Sequence, residues 1–309
     1  MKDTKKLWVV VVTFNSEKFI RQCLDSVFKS RIGCQVIVID NNSTDSTNKI
    51  IEQEFPNAIS IKNRNNIGFG SANNTGIRIA LEHNAEYIFL LNQDAWVDAD
   101  CFDKLISVSE KNPDAGIVSP LHFKQNWEEL ESLFKRYVSG ESESLLTTNN
   151  KNIKVEFVNA AGWLIPRRTF EIVGGFDPIF FMYGEDVDFI NRMFYHNMDL
   201  IVTSSARMVH ARINSDAAKT KQFGEVNSKR QIKQYSVQVI CHLKNLEKDF
   251  RSEMMFFVFD YMKKIIRTFL TFRWRAFGRY FVSYFTYLYK INRIRKHRNL
   301  SKHSGRTFL

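Results

Sequence analysis

Four carboxylates lie within one glycine- and aromatic-rich stretch, GGFDPIFFMYGEDVDF, at residues 174–189. They are Asp177, Glu185, Asp186 and Asp188. A carboxylate can take a proton from a nucleophile as a general base, so this density indicates a reaction site. A structural interpretation stays open, because acidic side chains stabilise a helix N-terminus and Asp188 can pair with Arg192 four residues later.

A second acidic group follows the apolar segment YIFLLN and begins at Asp94. A carboxylate there can hold a hard divalent cation, which can neutralise a diphosphate leaving group. Asp98 and Asp100 fit better as N-cap residues of a helix that starts near Asp100. His210 is a candidate further ligand, although a lone histidine is more often structural.

The segment GFGSANNTG, residues 68–76, has two glycines before a predicted helix. It lacks the third glycine of a dinucleotide-binding fingerprint, because Asn73 stands at that position. Gly68 and Gly70 would let the backbone approach a ligand closely and would free helix N-terminal amides, or would simply form a tight turn.

Strand and helix patterns alternate through the first third of the chain. The strand patterns are LWVVVVT, QVIVID, a short one near Ile59 and Ile61, and YIFLLN. Such units predict a doubly wound α/β fold with a mostly parallel sheet flanked by helices, in which ligands bind at the carboxyl ends of the strands. The polar residues predicted at those ends are Thr13, Asn15, Asp40, Asn65, Asn66 and Asp94.

The later sequence divides into segments of different character. Residues 124–155 are polar and irregular, which predicts an insertion or lid, and a helix is predicted to begin at Pro166. From residue 228 a helical pattern rich in aromatic and cationic residues predicts an amphipathic helical extension. We therefore predict a catalytic domain at 1–227 and an extension at 228–309.

Composition supports this division. The chain has 309 residues with 44% hydrophobic content, enough for one large domain with an extension. Residues 1–200 carry 21 Lys and Arg against 27 Asp and Glu, whereas residues 201–309 carry 23 against 6. The basic segment fits an anionic membrane surface or a nucleic acid, or is a helical subdomain packed on the catalytic part. No nucleic-acid-binding motif accompanies it.

Cysteine spacing and hydropathy bear on the compartment. Cys23, Cys34, Cys101 and Cys241 lie far apart, which is typical of free thiols in a reducing compartment. The first residues are interpreted as a strand and not as a signal peptide. No window reaches the roughly 18 apolar residues of a membrane-spanning helix, so we expect no bilayer crossing.

In combination, these motifs resemble those of a known family. VVTFN, VIVIDNNSTD, NNIGFGSANNTGI, LLNQDAW, GGFDPIFFMYGEDVDFINR and the later His210 have the order and spacing found in family 2 glycosyltransferases, which have a GT-A fold. The resemblance covers roughly residues 7–215. It is strongest to bacterial rhamnosyltransferase-like enzymes of surface polysaccharide synthesis.

The resemblance implies roles for particular residues. Asp94 and His210 would bind Mg²⁺ or Mn²⁺. Their affinity for the metal would be weakened, because Asn92 replaces an aspartate of the family motif. Asp186 and Glu185 match the pair that supplies the general base. The residues implied to bind the nucleotide sugar are Thr13, Phe14, Asn15, Asp40, Asn66, Gly68, Asn92 and Asp94.

The implied function is inverting transfer of a sugar from a UDP or dTDP donor to a glycan or lipid-linked glycan. Adjacent helix residues point in different directions, which favours Asp186 as the base and Glu185 as an acceptor-binding residue. Trp163 and Tyr183 offer faces for a sugar ring, although Trp163 also fits a core position. The enzyme is expected in the cytoplasm, peripherally associated with the inner face of the membrane. The alternative is a non-catalytic protein that binds nucleotides or nucleic acid through its basic tail.

Overall fold

The protein is built around one β-sheet that contains both parallel and antiparallel strands and is flanked by helices. The structure, a computed structural model, describes residues 6–212 and 229–309, so the predicted boundary at 227/228 lies outside the described residues. The strands in these ranges are β1 (Leu7–Thr13), β2 (Gln35–Asp40), β3 (Ile59–Lys62), β4 (Tyr87–Asn92), β5 (Ala95–Val97), β6 (Ala115–Phe123), β7 (Asn152–Lys154), β8 (Gly162–Pro166) and β9 (Asp199–His210).

Helices pack on both faces of this sheet and continue beyond it. Those in the described ranges are α1 (Ile20–Phe28), α2 (Thr47–Glu54), α3 (Phe69–Glu82), α4 (Cys101–Lys111), α5 (Ser132–Tyr137), α6 (Ser142–Thr147), α7 (Arg167–Val173), α8 (Glu185–Tyr195), α9 (Lys229–Lys244), α10 (Phe250–Leu270) and α11 (Trp274–Leu300).

The strand order is β3-β2-β1-β4-β8-β6-β9-β5, with β7 also beside β9. Strands β1, β2, β3 and β4 are mutually parallel, and β6 is parallel to β9. Strand β8 runs antiparallel between β4 and β6, and β5 and β7 run antiparallel to β9. The predicted doubly wound, mostly parallel sheet is confirmed. The short strand β5 and the long strand β6 were not predicted.

Alternating side chains of the central strands enter two separate cores. In β1, Val10 faces one core, whereas Val9 and Val11 face the other. Both sets are fully buried because helices cover both faces, as the continuous apolar run LWVVVVT requires. This packing fixes the ends of the strands, where the polar residues lie.

The segment 124–155 is more regular than its composition predicted. It contains α5, α6 and β7, so the expectation of an irregular insertion is wrong in part. Phe134 and Leu145 are buried in the core, and the Glu131 side chain caps α5 by accepting bonds from the amides of Leu133 and Phe134. A few well-spaced apolar residues are enough to hold the segment against the sheet.

The predicted helical extension is present as α9, α10 and α11. These helices share a small core that includes Val239, Tyr261 and Tyr287. The last residues return to the sheet domain, where the Gly175 amide donates to the Thr307 carbonyl at 2.8 Å. Across the ranges that the structure describes, no helix has both the length and the apolarity needed to span a bilayer.

Candidate active site

A cavity of about 590 Å³ lies where the carboxyl ends of β1, β4 and β9 meet the N-terminus of α8. Parallel strands bring their polar ends to one edge of the sheet, which explains why distant motifs meet here. The lining residues are Val12, Thr13, Phe14, Asn41, Asn66, Phe69, Asn92, Gln93, Asp94, Leu133, Tyr137, Asn159, Ala160, Met182, Tyr183, Glu185, Asp186, His210 and Arg212.

Asp40 and Asn15 were predicted to contact the nucleotide, but neither lines the cavity. Asp40 is fully buried and accepts bonds from the Thr13 hydroxyl at 3.1 Å, the Ser43 amide and the Asn48 side chain. Asn15 is exposed, and its side-chain oxygen accepts from the Thr44 amide at 2.9 Å. Direct contact by Asp40 is therefore not supported, because its carboxylate is already satisfied and positions Thr13 and the turn after β2.

Gly68 was predicted to let the backbone approach a ligand, but in the structure it lets the backbone of Phe181 approach. Its φ is +88°, and a Cβ atom there would lie 2.1 Å from the Phe181 carbonyl oxygen. The amide of Phe69 donates to that oxygen at 3.2 Å. Gly68 is outside the cavity lining, so it allows approach of the 174–189 segment and not of a ligand. Asn66 does line the cavity, and its side-chain oxygen accepts from the Gly68 amide.

Strand β5 brings Asp94 and His210 together. Ala95 of β5 pairs with His210 of β9, which places Asp94 Oδ1 at 3.6 Å from His210 Nε2. Burial alone would raise the pKa of Asp94, but its contact with His210 outweighs burial and lowers that pKa. The pair was predicted from the sequence, whereas the antiparallel strand that joins it was not.

These two side chains fit a divalent cation that takes its remaining ligands from a bound diphosphate. Among the described residues, no group of three or more His, Cys, Asp or Glu side chains could hold a metal ion by itself. Mg²⁺ is commonly held by one or two carboxylates together with substrate phosphates, so a two-residue site suffices. The buried Asn92 side-chain oxygen, which has no protein partner, is a further oxygen donor beside them.

Glu185 and Asp186 begin α8 and face the cavity. The preceding residues, Tyr183 at φ +68° and Gly184 at φ +88°, turn the chain sharply so that the helix starts at the cavity wall. Burial, with the nearby charge of Asp186, raises the pKa of Glu185 to about 8. Burial also raises the pKa of Asp186, against the opposing effects of the Val187 amide and Arg212.

Asp177 and Asp188, in the same stretch, have a different environment. Asp188 is buried and pairs with Arg192 at 2.9 Å, which confirms the predicted pair, and with Lys244 of α9 at 3.0 Å. Asp177 is buried between Lys244 and His297 of α11, whose Nδ1 lies 2.6 Å from its Oδ1. Against the effect of burial, these partners lower the pKa of Asp177 to about 2.

The two predicted sugar-stacking aromatics differ in position. Tyr183 lines the cavity mouth with 61% of its surface exposed. Trp163 is fully buried and packs on Phe176 and Phe189, with ring centroids 6.4 and 5.9 Å away. The prediction that Trp163 contacts the acceptor is wrong, because neither face of its ring reaches the cavity.

Several lining residues were not predicted from the sequence, namely Gln93, Tyr137, Asn159 and Arg212. Gln93 joins the ends of β1 and β4 by accepting from the Phe14 amide at 2.7 Å. The charge of Arg212 favours the ionised forms of both Asp94 and Asp186, although burial leaves the pKa of Asp186 raised, so Arg212 acts on both sides of the cavity. Gln93 lies within the motif LLNQDAW and Arg212 lies two residues after His210, so their positions in the sequence were an available signal. Tyr137 and Asn159 arrive from segments that carried none.

Unpaired polar atoms point to a ligand. Buried polar groups are nearly always hydrogen-bonded, so each exception needs a partner. Five lining residues of this cavity have a buried side-chain atom without a hydrogen bond. These atoms are Asn92 Oδ1, Asn159 Oδ1, Glu185 Oε2, His210 Nδ1 and Arg212 Nε, the last of which forms an ion pair with Glu131 at 3.2 Å.

Comparisons with known sequences agree with this geometry. Residues 8–173 match the family model described as Glycosyl transferase family 2. A dTDP-rhamnosyl transferase, RfbF of Shigella flexneri, is 26% identical over 207 residues, or 66% of this chain and 69% of the relative. An N-acetylglucosaminyl-diphospho-decaprenol L-rhamnosyltransferase of Mycobacterium tuberculosis is 26% identical over 239 residues, or 69% of this chain and 78% of the relative.

Comparisons with solved structures address the fold. The crystal structure of S. aureus TarS 1-349 with UDP-GlcNAc has a TM-score of 0.54 at 16% identity, and the match covers 80% of this chain and 69% of that TarS chain. GalNAc-T7 with UDP, GalNAc and Mn²⁺ has a TM-score of 0.57 at 14% identity, covering 86% of this chain and 51% of that one. The similarity confirms the GT-A fold.

Proposed function

Since the chain belongs to glycosyl transferase family 2, we propose that it is an inverting glycosyltransferase of bacterial surface polysaccharide synthesis. It moves a sugar from a UDP or dTDP donor to a glycan or lipid-linked glycan acceptor. The observation that supports this proposal is a single cavity that joins the Asp94–His210 pair to Asp186, with Arg212 acting on both.

The donor side lies at the ends of β1 and β4. Thr13, Phe14, Asn66 and Asn92 line it, and Phe14 is 44% exposed beside the Gln93 amide group. An exposed ring and unpaired amide oxygens suit a nucleoside base and sugar hydroxyls. The two rhamnosyltransferase relatives and the UDP-bound neighbours favour a dTDP or UDP sugar.

Transfer proceeds by one displacement at the anomeric carbon. Asp186 accepts the proton of the acceptor hydroxyl while the acceptor oxygen bonds to that carbon, and the bond from the carbon to the diphosphate oxygen breaks on the opposite face. The configuration of the carbon therefore inverts. Arg212 stabilises the negative charge that develops on the departing diphosphate.

Glu185 and the cation-binding residues complete the proposed site. Because its raised pKa leaves Glu185 protonated at neutral pH, it donates a hydrogen bond that orients the acceptor. Asp94 and His210 would hold Mg²⁺ or Mn²⁺, and the ion would supply positive charge at the diphosphate. Asn92 offers an amide oxygen where a carboxylate would bind the ion more tightly.

A donor panel tests the function. UDP, dTDP and GDP sugars are each incubated with the protein and Mg²⁺, with and without N-acetylglucosaminyl-diphospho-decaprenol, the acceptor in the name of the mycobacterial relative. We expect nucleotide release from one UDP or dTDP sugar, and at least tenfold less after Asp94→Asn. Asp98→Asn is the matched control, because the Asp98 carboxylate pairs with Arg207 outside the cavity. Absence of donor binding and of release across the panel would contradict the proposal.

The extension carries a surface suited to an anionic membrane. Aromatic side chains follow one another across the α10–α11 turn, with adjacent ring centroids 4.8–6.2 Å apart. Phe272 is 77% and Trp274 is 55% exposed, and the neighbouring Arg267, Arg273 and Arg275 are exposed too. We refer to this surface as the aromatic ladder; it consists of Phe269, Phe272, Trp274, Phe277, Phe281 and Phe285.

We propose that the aromatic ladder lies in the membrane interface, on the cytoplasmic face, and presents the cavity to a lipid-linked acceptor. Exposed aromatics beside cations favour binding to anionic lipid headgroups. Phe272→Glu/Trp274→Glu should abolish cosedimentation with vesicles containing phosphatidylglycerol. Phe28→Glu, which changes an exposed aromatic residue on α1, should leave cosedimentation unchanged. Unchanged cosedimentation of the double variant would contradict membrane docking.

A further inference from the structure

Helix α9 of the extension lies against the start of α8, where the proposed base stands. The Cys241 thiol is 3.6 Å from the Gly184 carbonyl oxygen, the residue before Glu185. A Cβ atom on Gly184 would lie 2.6 Å from the Val237 side chain and 2.9 Å from Cys241. The extension therefore contacts the N-terminal turn of α8 directly, with no space between them.

Lys244, at the end of α9, is the charged link in this contact. Its side chain is 1% exposed and forms ion pairs with Asp177 and with Asp188, the latter at 3.0 Å. An ammonium group that is removed from water needs such partners, and the two carboxylates are equally buried. Lys244 thus joins the loop before α8 to the first turn of α8.

This first turn carries both the structural and the proposed catalytic carboxylates. Asp188 follows Asp186 by two residues, and its other oxygen binds Arg192. Arg192 in turn donates to the Val173 and Gly175 carbonyl oxygens at 2.6 and 2.7 Å. The turn is therefore held through Asp188 by Arg192 of the same helix and by Lys244 of the extension, while Glu185 and Asp186 face the cavity.

We propose that Lys244 is a positioning residue that fixes the first turn of α8, so that Asp186 meets the acceptor hydroxyl in the cavity. The extension is then part of the catalytic scaffold as well as a docking element. This inference rests on the proposed function. Lys244 lines no part of the donor side of the cavity, so it acts on the transfer step and not on donor binding.

The test compares Lys244→Met with Lys244→Arg. Donor affinity and the number of donor-binding sites are measured by calorimetry, and kcat is expressed per donor-binding site so that unfolded protein does not count. We expect Lys244→Met to keep the donor Kd within about twofold and to lower kcat at least tenfold. Lys244→Arg, which keeps the cation, should recover to within about threefold of the parent.

Lys248→Met is the matched control, because Lys248 lies four residues later, in the loop between α9 and α10, and forms a more exposed ion pair with Glu253. It should leave kcat unchanged. If Lys244→Met does not fold, Asp177→Asn/Lys244→Met removes one buried charge of each sign and keeps the Asp188–Arg192 pair. The double variant should also lose at least tenfold in kcat per donor-binding site.

Two results would overturn the inference. One is a kcat per donor-binding site within twofold of the parent in folded Lys244→Met or, where that variant does not fold, in the double variant. The other is a loss of donor affinity in that variant as large as its loss of kcat. Absence of transfer by the parent itself would overturn the proposed function and this inference with it, whereas an active parent with an unaffected Lys244→Met overturns the inference alone.

Discussion

The acidic stretch at 174–189 contains two pairs of carboxylates whose environments are opposite. Asp177 and Asp188 are buried among Lys244, Arg192 and His297, and each has a cationic or imidazole partner. Glu185 and Asp186 face a cavity, where the charge of Asp186 acts on Glu185 and the charge of Arg212 acts on Asp186. The same residue types thus stabilise the fold in one case and remain chemically available in the other.

The difference follows from helix geometry and from the extension. Residues at the start of α8 point in different directions, so one side of its first turn meets α9 and another meets the cavity. Asp177, which is paired, stays ionised, as its low pKa indicates, whereas the unpaired Glu185 holds its proton to about pH 8. A general base benefits from the second kind of environment, because its pKa then approaches the working pH.

Of the substitutions that test this comparison, one at a buried, paired carboxylate should have the largest effect on the free energy of unfolding. Asp188→Asn leaves Lys244 and Arg192 without their shared carboxylate, and breaking a buried pair costs about 3–5 kcal/mol. Urea unfolding should show this loss. A loss below about 1 kcal/mol would contradict the structural role of Asp188.

Glu185→Gln should increase the stability of the protein, in contrast to Asp188→Asn. Because folding raises the Glu185 pKa from 4.5 to about 8, unfolding releases its proton between these pH values, and the parent loses stability as pH rises through that window. The glutamine variant avoids this loss. Its advantage should be small near pH 4.5 and should grow to on the order of 3 kcal/mol at pH 8. Thermal unfolding across this range measures it, and a constant difference would contradict the raised pKa.

Gly68→Ala tests the contact between the donor loop and the acidic stretch. The positive φ and the approach to the Phe181 carbonyl should make alanine cost about 1–3 kcal/mol in unfolding free energy. Gly33→Ala is the matched control, since a Cβ there meets nothing within 4 Å. Equal stability of the two variants would show that the loop adapts to a side chain.

The smallest effect should come from a carboxylate pair at the surface. Asp98 pairs with Arg207 at 2.9 Å, but both side chains are partly exposed to solvent. Exposed ion pairs contribute at most about 1 kcal/mol, so Asp98→Asn should leave both unfolding and kcat close to the parent. A larger loss would show that burial is not what distinguishes Asp188.

The sequence predicted the parallel half of the sheet because buried strands of that kind have continuous apolar runs. It also identified Asp94, His210, Glu185 and Asp186, which follow such runs or cluster locally. The antiparallel strand β5 was too short to give a pattern. Tyr137 reaches the cavity, and Lys244 reaches the first turn of α8, only through tertiary packing, which local spacing does not encode.

Two of the site predictions depended on packing and hydrogen bonding that the sequence does not show. Trp163 belongs to the core, because its strand β8 lies in the middle of the sheet and its ring faces Phe176 and Phe189. Asp40 ends its strand as predicted, yet its carboxylate is saturated by the turn that follows. Position at a strand end therefore identifies the neighbourhood of the site, whereas direct contact depends on which groups are already hydrogen-bonded.

The most direct test of the central claim measures donor affinity and turnover together in Asp186→Asn. The substitution removes the proposed base and leaves the donor side and the buried ion pairs intact. We expect the donor Kd to stay within about threefold of the parent, and kcat for transfer to fall by about 10²-fold or more. A kcat within threefold of the parent at unchanged donor affinity would contradict the assignment of Asp186 as the base.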